Sequence, residues 1–322
     1  MTFIDLFAGI GGFRIALENL GLKCVYSCEK DLKTAKLYEL NYGEDPLGDI
    51  TKVDEKSIPD FNVLCAGFPC QSFSVAGKQQ GFNDARGTMF FEICRILKER
   101  SPEIVFLENV KNLSTHDKGN TLKVIITNLE ELGYTTSWEV LNAKDFGVPQ
   151  NRERTIIVAM KGKKFDFSKL DKHPTENMIP FLDKNKDFKY LPEEEYTLLN
   201  SPKKQSKSGL LFCGYRNKKI RTKGVSNPDL NLSRVHKQPN RIYSVNGVHP
   251  TLSSQEISGR YFILTENGVR KLTIDECYRF MGFPETFNKS SDVSTLYKCI
   301  GNSVAVPMIQ EVAKQIIQQW SE

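Results

Sequence analysis

The stretch "TFIDLFAGIGGFRIALENLG", residues 2–21, is the clearest indication of fold class in this 322-residue chain. Its first part is apolar, three glycines follow between positions 9 and 12, and apolar residues then recur at helical spacing up to Gly21. This order predicts a buried β-strand, a tight turn and an amphipathic α-helix. Because the same order recurs through the first half of the chain, we expect an α/β fold with a largely parallel sheet and helices on both faces.

The elements expected in this half follow one another along the chain. Strands are predicted at residues 2–7, 23–28, 61–67, 101–109, 135–143 and 154–160, and helices at 13–21, 31–41, 88–100 and 121–133.

After about residue 161 the pattern changes. Residues 163–210 are rich in lysine, contain four prolines and show little periodicity. Short strand-like pieces follow at "NRIYSV" and "RYFILT", and helical patterns return in "TIDECYRFMG" and "AVPMIQEVAKQIIQQW". We therefore predict a smaller, irregular domain at residues 173–273, inserted in a first domain formed by residues 1–172 and 274–322.

The composition favours a soluble globular protein, with 39% hydrophobic and 26% charged residues. The N-terminus has no basic segment ahead of an apolar one, and no apolar run is long enough for a bilayer, so we expect a cytoplasmic protein without a signal peptide. The eight cysteines form no CxxC pair, which argues against zinc and against a disulfide framework. Most of them should be buried small hydrophobic residues.

Positive charge is concentrated in one segment. The chain has a net charge of +5, and residues 201–241 hold eleven Lys or Arg against a single acid. A basic segment of this kind indicates nucleic-acid binding, although a solvated basic loop would have the same composition.

The glycine turn of the opening stretch is a candidate cofactor site. Gly9, Gly11 and Gly12 lie between a strand and a helix, where a ligand can approach the backbone. Glu29 follows the second strand and can accept hydrogen bonds from both hydroxyls of a ribose, and Asp49 can accept from an adenine amino group. The spacing differs from the GxGxxG of dinucleotide enzymes, so S-adenosylmethionine fits better than NAD.

A second group of reactive residues lies at the carboxyl ends of predicted strands. "GFPCQSFSVAG" places Cys70 on a loop after the third strand, and "FLENV" places Glu108 at the end of the fourth. "FGVPQNRERT" brings Arg152 and Arg154 to another strand, and "GNSVAVP" is expected to place Asn302 at the start of the last helix. Because such strand ends meet at one edge of a parallel sheet, a thiol, a carboxyl group and a guanidinium could share one cleft.

The blocks "DLFAGIGG", "GFPCQSFSVAG", "ENVKN", "QNRER" and "GNSV" occur in the order and spacing of the DNA (cytosine-5)-methyltransferases, and the chain resembles the compact bacterial restriction-modification type. The resemblance covers residues 1–160 and 241–322. It implies a doubly wound, mostly parallel, Rossmann-like sheet that binds S-adenosylmethionine, with residues 173–273 as a target-recognition domain.

The resemblance also implies roles for the reactive residues. Cys70 would attack carbon 6 of cytosine, Glu108 would hold the ring N3 and amino group, and Arg154 would reach the O2 carbonyl with Arg152 beside it. The residues expected to bind the cofactor are Phe7, Ala8, Gly9, Gly11, Gly12, Glu29, Asp49, Ile50, Phe68 and Asn302.

For DNA, the resemblance implies that residues 71–86 close over a flipped cytosine, with Gly77 and Gly81 permitting the motion. Residues 241–252 resemble the organiser of the recognition domain. We expect the substrate to be double-stranded DNA with a short target site. We also expect the protein to be a monomer, with a cognate restriction endonuclease as a possible partner. The predicted DNA contacts are Gln71, Ser74, Arg86, Arg216, Arg234 and Arg241. The candidates for reading bases are Arg216, Asn217, Arg234, Gln238, Asn240 and Gln255.

Three alternatives remain at this point. A tRNA cytosine-5 methyltransferase would share the motifs, and the basic insertion favours DNA over it only weakly. A nicotinamide oxidoreductase would use the glycine turn but gives no role to Cys70, Glu108 or Arg154. A catalytically silent DNA-binding homologue would have a broken catalytic motif, and none is visible.

Overall fold

The computed structural model of the chain describes residues 1–69, 89–184, 186–217 and 238–322. Within them it contains a six-stranded sheet, a five-stranded sheet and a two-stranded strip. The strands are β1 (Thr2–Leu6), β2 (Lys23–Cys28), β3 (Val63–Gly67), β4 (Ile104–Val110), β5 (Tyr134–Asn142), β6 (Gln150–Asn151), β7 (Glu153–Lys161), β8 (Tyr196–Gln205), β9 (Leu210–Arg216), β10 (Arg241–Ser244), β11 (His249–Pro250), β12 (Phe262–Thr265) and β13 (Gly268–Lys271). The α-helices are α1 (Gly12–Glu18), α2 (Leu32–Tyr42), α3 (Met89–Arg100), α4 (Asn120–Glu131), α5 (Ile274–Arg279), α6 (Val293–Asn302) and α7 (Val306–Ser321).

The large sheet has the strand order β2-β1-β3-β4-β7-β5. Strands β1 to β4 pair in parallel, while β7 is antiparallel to both β4 and β5, so five of the six strands run in one direction. Side chains alternate between the faces: Phe3 enters a core with α1 and α7, and Ile4 enters a core with α3 and α4. The predicted doubly wound, mostly parallel α/β fold is confirmed.

The elements predicted in the first half are present, with ends within three residues of the expected ones. Local chemistry sets several of these ends. Helix α2 begins after Asp31, whose carboxylate accepts a hydrogen bond from the Thr34 N–H at 3.0 Å. After α1, Gly21 has a φ of 82°, which a glycine adopts without steric cost.

The second sheet, in the order β13-β12-β10-β9-β8, is more regular than the predicted irregular domain. Strands β10 and β12 are parallel, and the other pairs are antiparallel. Strand β8 was missed because most of its side chains are exposed, so its sequence has no apolar alternation. The sheet lies inside residues 173–273, whose exact limits stay a prediction.

The second sheet is not an independent unit in its packing. One face forms a small core of Cys213, Ile242, Phe262 and Val269. The other face contributes to the same hydrophobic cluster as α1 and α7. The strip of β6 and β11 also joins the two halves of the chain, since His249 pairs with Gln150.

One helix boundary differs from the prediction. Asn302 is the last residue of α6, and the final helix starts only at Val306. Helix α6 was not predicted, although its N-terminus carries a capping signal: the Asp292 carboxylate accepts from the Thr295 N–H at 3.0 Å. Asn302 therefore ends α6, directly before the connection to the last helix, and does not start that helix.

The described part of the chain contains seven cysteines, all buried and none in a disulfide. This confirms their reading as small core residues. No helix within the described residues is both long and apolar enough to cross a membrane.

Candidate active site

Glu108 and Arg154 form an ion pair at one end of the large sheet. Strands β4 and β7 are antiparallel there, with Arg154 opposite Val110 and Glu108 opposite Ile156. The Arg154 Nε lies 2.9 Å from Glu108 Oε1, and both side chains are about nine-tenths buried. The structure thus brings together the acid and the guanidinium that the sequence proposed for one cleft.

The surroundings of Glu108 make it easier to protonate than an exposed glutamate. Burial raises the pKa of Glu108, and the nearby charges of Arg154 and Arg152 only partly oppose that rise. The second carboxylate oxygen, Oε2, accepts no hydrogen bond from the described residues. Glu108 can therefore offer Oε2 to a ligand, and Oε1 keeps a further lone pair beside its contact with Arg154.

The loop expected to present Cys70 starts beside this pair. Gly67 ends β3 directly opposite Glu108 on β4, and a Cβ at Gly67 would lie only 3.7 Å from Glu108 Oε2. The Asn109 side chain donates a hydrogen bond to the Phe68 carbonyl at 2.8 Å. Strand pairing therefore holds Gly67, and the Asn109 hydrogen bond holds Phe68, just before position 70. Cys70 itself lies outside the described residues.

Arg152 points elsewhere. Its side chain is fully buried, and its guanidinium donates to the carbonyls of Leu252 (3.1 Å), Gly301 (3.0 Å) and Ser303 (2.6 Å). These three carbonyls occupy both terminal nitrogens of the guanidinium. Arg152 thus bonds to backbone carbonyls, and Arg154 is the arginine that contacts Glu108; the catalytic role predicted for Arg152 stays a prediction.

The glycine turn and Glu29 form one hydrogen-bonded unit. Glu29 Oε2 accepts from the Gly9 N–H at 2.9 Å, and Oε1 accepts from the Asp31 N–H at 2.7 Å. Each oxygen keeps a further lone pair for a ligand hydroxyl. Phe7 has a φ of 56°, a left-handed conformation that is costly for a non-glycine residue and that clusters at functional sites. The next residue, Ala8, donates to the Cys28 carbonyl at 3.0 Å.

The same turn packs against the connection that follows Asn302. A Cβ at Gly12 would lie 2.7 Å from a Val304 methyl carbon and 2.8 Å from the Ser303 hydroxyl oxygen, so only glycine allows this approach. Asn302 is exposed beside them. Two predicted cofactor segments that are far apart in sequence therefore meet.

The remaining predicted cofactor residues follow the second and third strands. Asp49 is held by the Thr51 N–H at 3.2 Å and by Lys30, whose Nζ lies 2.8 Å from Asp49 Oδ2. These bonds lower the pKa of Asp49, Lys30 being the largest cause, to about 2. Ile50 and Phe68 are buried and pack in one core cluster.

The predicted DNA contacts divide into three groups. Gln71, Ser74, Arg86 and Arg234 lie outside the described residues, as does the predicted closing loop at residues 71–86. Arg216 pairs with Glu195 at 2.9 Å, and its guanidinium lies over the Phe262 ring at 5.0 Å. Arg241 starts β10 at the sheet and is half-buried.

The described candidates for base readout differ in whether their side chains are already hydrogen-bonded within the protein. The Asn217 amide donates to the Glu194 carbonyl at 3.0 Å, and Gln238 accepts from the Tyr243 hydroxyl at 3.1 Å. Asn240 has a buried carbonyl oxygen without a partner in the described residues. The Gln255 side chain is exposed and makes no hydrogen bond there.

Sequence reasoning missed three side chains that shape the site. Asn109 belongs to the recognised "ENV" block, but its bond to the Phe68 carbonyl joins two strand ends and has no local signal. Tyr42 Oη lies 3.2 Å from the Ile10 carbonyl and 3.1 Å from the Gly11 carbonyl, and so supports the glycine turn. Gln150 is fully buried, and it precedes Arg152 by the two-residue spacing that puts strand residues on one face.

A sequence model of the family described as "C-5 cytosine-specific DNA methylase" matches residues 1–318. The chain is 43% identical to the Type II methyltransferase M.HhaI of Haemophilus parahaemolyticus over 98% of this chain and 94% of that protein. It is 42% identical to the Type II methyltransferase M.HpaII of Haemophilus parainfluenzae over 99% of this chain and 89% of that protein.

Solved structures share the fold at lower sequence identity. The S. pombe Dnmt2 methyltransferase superimposes with a TM-score of 0.72 at 18% identity, covering 100% of both chains. A mutant of Spodoptera frugiperda DNMT2 gives a TM-score of 0.70 at 18% identity, over 98% of this chain and 99% of that chain.

Proposed function

The chain belongs to the C-5 cytosine-specific DNA methylases and is a DNA (cytosine-5)-methyltransferase of the Type II restriction-modification kind, and from that premise we propose that Cys70, Glu108 and Arg154 carry the reaction. The observation that supports this most is the position of the Glu108–Arg154 pair. It lies directly beside the end of β3, from which the Pro-Cys loop starts.

Cys70 acts as the nucleophile in this proposal. Carbon 5 of cytosine is a weak nucleophile, and addition of a thiolate to carbon 6 forms a C–S bond and moves the ring electrons toward carbon 5. Carbon 5 would then take a methyl group whose bond to the cofactor sulfur breaks, the sulfur leaving with that electron pair as a neutral thioether. A base would remove the carbon 5 proton, and the bond between Cys70 and carbon 6 would break to restore the ring. The thiol cannot reach carbon 6 of a cytosine that is stacked and paired in the duplex, so the cytosine is flipped out.

Glu108 and Arg154 stabilise the ring while it carries the extra electrons. Glu108, whose pKa burial raises, donates a proton to N3 and accepts from the exocyclic amino group. Arg154 holds Glu108 Oε1 and presents positive charge toward the O2 side of the ring. Because the pair is nine-tenths buried, its electrostatic effect is larger than it would be in water.

The residues around the glycine turn fit S-adenosylmethionine. Glu29 offers one free lone pair on each oxygen, which suits the two ribose hydroxyls, and Asp49 offers carboxylate oxygens next to it. Asn302 is exposed and directly precedes Ser303 and Val304, which pack against Gly12, so its amide is available to the same ligand. Bound there, the cofactor supplies a methyl group on a positively charged sulfur.

The basic segment and the second sheet would hold the DNA. Lysines and arginines within residues 201–241 bind phosphates, while Gln255 has the free side chain that base readout requires. Arg216 would have to leave Glu195 in order to reach a phosphate. We propose that the enzyme works as a monomer in the cytoplasm, where its DNA substrate is. Its partner in the restriction-modification system is an endonuclease that cuts the same site.

A labelling experiment tests the proposal. The native protein and the Cys70→Ser variant are incubated with tritiated S-adenosylmethionine and, in parallel, with plasmid DNA or bulk tRNA. We expect label on DNA with the native protein only, and bisulfite sequencing of that plasmid then identifies the modified cytosine. A synthetic, unmethylated DNA duplex that contains this site is the substrate duplex in the experiments below.

Two outcomes would contradict it. Equal transfer by Cys70→Ser would show that the thiol is not the nucleophile. Label on tRNA without label on DNA would move the substrate to RNA.

A further inference from the structure

Two buried polar side chains hold Leu252 from both sides. Gln150 Oε1 accepts from the Leu252 N–H at 3.0 Å, and the Arg152 guanidinium donates to the Leu252 carbonyl at 3.1 Å. Gln150 and Arg152 are 0% and 1% exposed, so water cannot replace these bonds. The N–H and the carbonyl of Leu252 are therefore both held by side chains that lie two positions apart in sequence, Gln150 and Arg152.

Arg152 also reaches the cofactor side of the molecule. Its Nη2 donates to the carbonyls of Gly301 at 3.0 Å and Ser303 at 2.6 Å, the residues on either side of Asn302. No carboxylate pairs with this guanidinium within the described residues. Its terminal nitrogens are bonded to Leu252 and to the flanks of Asn302, while its Nε has no partner in the described residues.

The segment that begins at Leu252, residues 252–259, is packed on α6 at both ends. A Cβ at Gly301 would lie 2.3 Å from the Ser254 nitrogen, and a Cβ at Gly259 would lie 2.1 Å from the Tyr297 ring. Between these ends the segment exposes Gln255 and leaves Ile257 49% exposed. A polar amide and an apolar side chain are thus presented to solvent from a segment fastened to the helix that ends at Asn302.

We propose that Arg152 is a positioning residue that couples this exposed segment, as a DNA-contacting element, to the cofactor contact Asn302. Holding Asn302 would restrict the segment through the shared guanidinium, and holding the segment would restrict Asn302. The coupling is reciprocal by thermodynamic necessity. The inference rests on the proposed function for the identity of the two ligands, and it assigns Arg152 no contact with the reacting ring.

Hydrogen exchange tests the coupling without catalysis. Amide exchange of residues 252–259 is measured with and without S-adenosylhomocysteine, in the absence of DNA, for native protein and for Arg152→Lys. Lysine keeps the charge but lacks the planar fork that reaches three carbonyls. We expect the ligand to slow exchange in native protein and to have little effect in the variant.

Gly301→Ala provides a second route, because its methyl group pushes the Ser254 backbone away while the Gly301 carbonyl that Arg152 contacts is retained. It should lose the ligand-induced protection as well, and it decides the question if Arg152→Lys does not fold. Arg270→Lys is the matched control, since Arg270 is equally buried but pairs with Glu276 and contacts neither segment. It should keep the protection.

Affinity provides the second measurement. The dissociation constant of S-adenosylhomocysteine is measured with and without the substrate duplex, and coupled sites typically differ by roughly 5- to 150-fold. We expect native protein to lie in that range and Arg152→Lys to fall several-fold toward a ratio of one.

The coupling would be overturned if native protein shows neither protection nor a ratio above one, or if a folded Arg152→Lys behaves like native protein. Equal loss in Arg270→Lys would also overturn it, because the effect would then be general destabilisation. Native protein that methylates DNA but shows no coupling sinks this inference alone, whereas the absence of methyl transfer sinks the proposed function.

Discussion

Two buried arginine–glutamate pairs in the molecule have different surroundings. Arg270 and Glu276 lie 2.7 Å apart where the second sheet meets α5, and their side chains are 3% and 0% exposed. Arg154 and Glu108 lie 2.9 Å apart at the end of the large sheet and are 11% and 10% exposed. The chemistry of each pair is the same, so the difference lies in what else each carboxylate binds.

Glu276 is saturated with hydrogen bonds. Besides Arg270, its oxygens accept from the Asp183 N–H at 2.9 Å and from the Thr273 N–H at 2.8 Å, as part of a capping box. The Arg270 guanidinium also lies over the Phe188 ring at 3.9 Å. Every strong acceptor site of this carboxylate is used by the protein, as expected of a group that only joins two parts of the chain.

Glu108 is incompletely bonded by comparison. Arg154 holds one oxygen, and the other has no partner in the described residues. An acceptor that the described part of the protein leaves unused is available to a ligand. The number of unused acceptor sites, and not burial alone, therefore separates the candidate catalytic pair from the structural one.

The largest expected effect is the loss of activity in Glu108→Gln. The amide keeps the shape of the side chain but cannot donate a proton from a carboxyl group to N3, so we expect kcat to fall by about 10²- to 10⁴-fold. Tritium transfer to the substrate duplex measures it, with thermal unfolding as the check on folding. A variant with near-native kcat would remove Glu108 from the chemistry.

Glu276→Gln should have the opposite profile. Removing one charge of a saturated buried pair leaves Arg270 uncompensated, so we expect a loss of about 3 kcal/mol in the free energy of unfolding. Urea unfolding measures the loss, and kcat well below the melting temperature should remain near native. A stable but inactive Glu276→Gln would break the distinction between the two pairs.

The pH dependence of stability sharpens the comparison. Because burial raises the pKa of Glu108 above its usual 4.5, the folded state binds more protons than the unfolded chain above that pH. The free energy of unfolding should therefore fall as pH rises from about 4.5 through the raised pKa, with a slope of at most about 1.4 kcal/mol per pH unit.

Glu108→Gln lacks this titration, so it should gain stability over native protein progressively across that window. Melting temperatures of both proteins at several pH values measure the difference. A difference that does not change with pH would contradict the raised pKa.

These contrasts show where sequence reasoning succeeds. The order of strands and helices in the first half is a local pattern, and it places Glu108 and Arg154 at strand ends that meet by topology. Recognition of the family blocks adds the roles of these residues, which periodicity alone could not provide.

Other features depend on distant partners and could not be predicted. Arg152 was placed beside Arg154 because both belong to one family block, and its partners Leu252 and Gly301, 100 and 149 residues away, have no local signal. Strand β8 is hidden because its lysines are exposed. The helix before Asn302 had a visible capping signal in Asp292, so that error was avoidable.

The smallest expected effect is at Tyr42, whose hydroxyl lies 3.2 Å from the Ile10 carbonyl and 3.1 Å from the Gly11 carbonyl. Tyr42→Phe removes the shared proton and lets the glycine turn relax, at a cost of about 1 kcal/mol, or about fivefold in the affinity for S-adenosylhomocysteine. Isothermal titration calorimetry measures this affinity.

Tyr38→Phe is its matched control. The Tyr38 hydroxyl accepts from Arg14 Nη1 at 3.0 Å and makes no hydrogen bond to the turn, so this variant should lose stability while it keeps the affinity. If both variants bind the ligand as native protein does, the turn needs no support from Tyr42, and Glu29 and Gly12 alone set its shape. If only Tyr42→Phe binds more weakly, a side chain whose hydrogen bonds are all within the protein also affects ligand affinity. Unused acceptor sites, which separate Glu108 from Glu276, would then identify only the groups that contact the ligand directly.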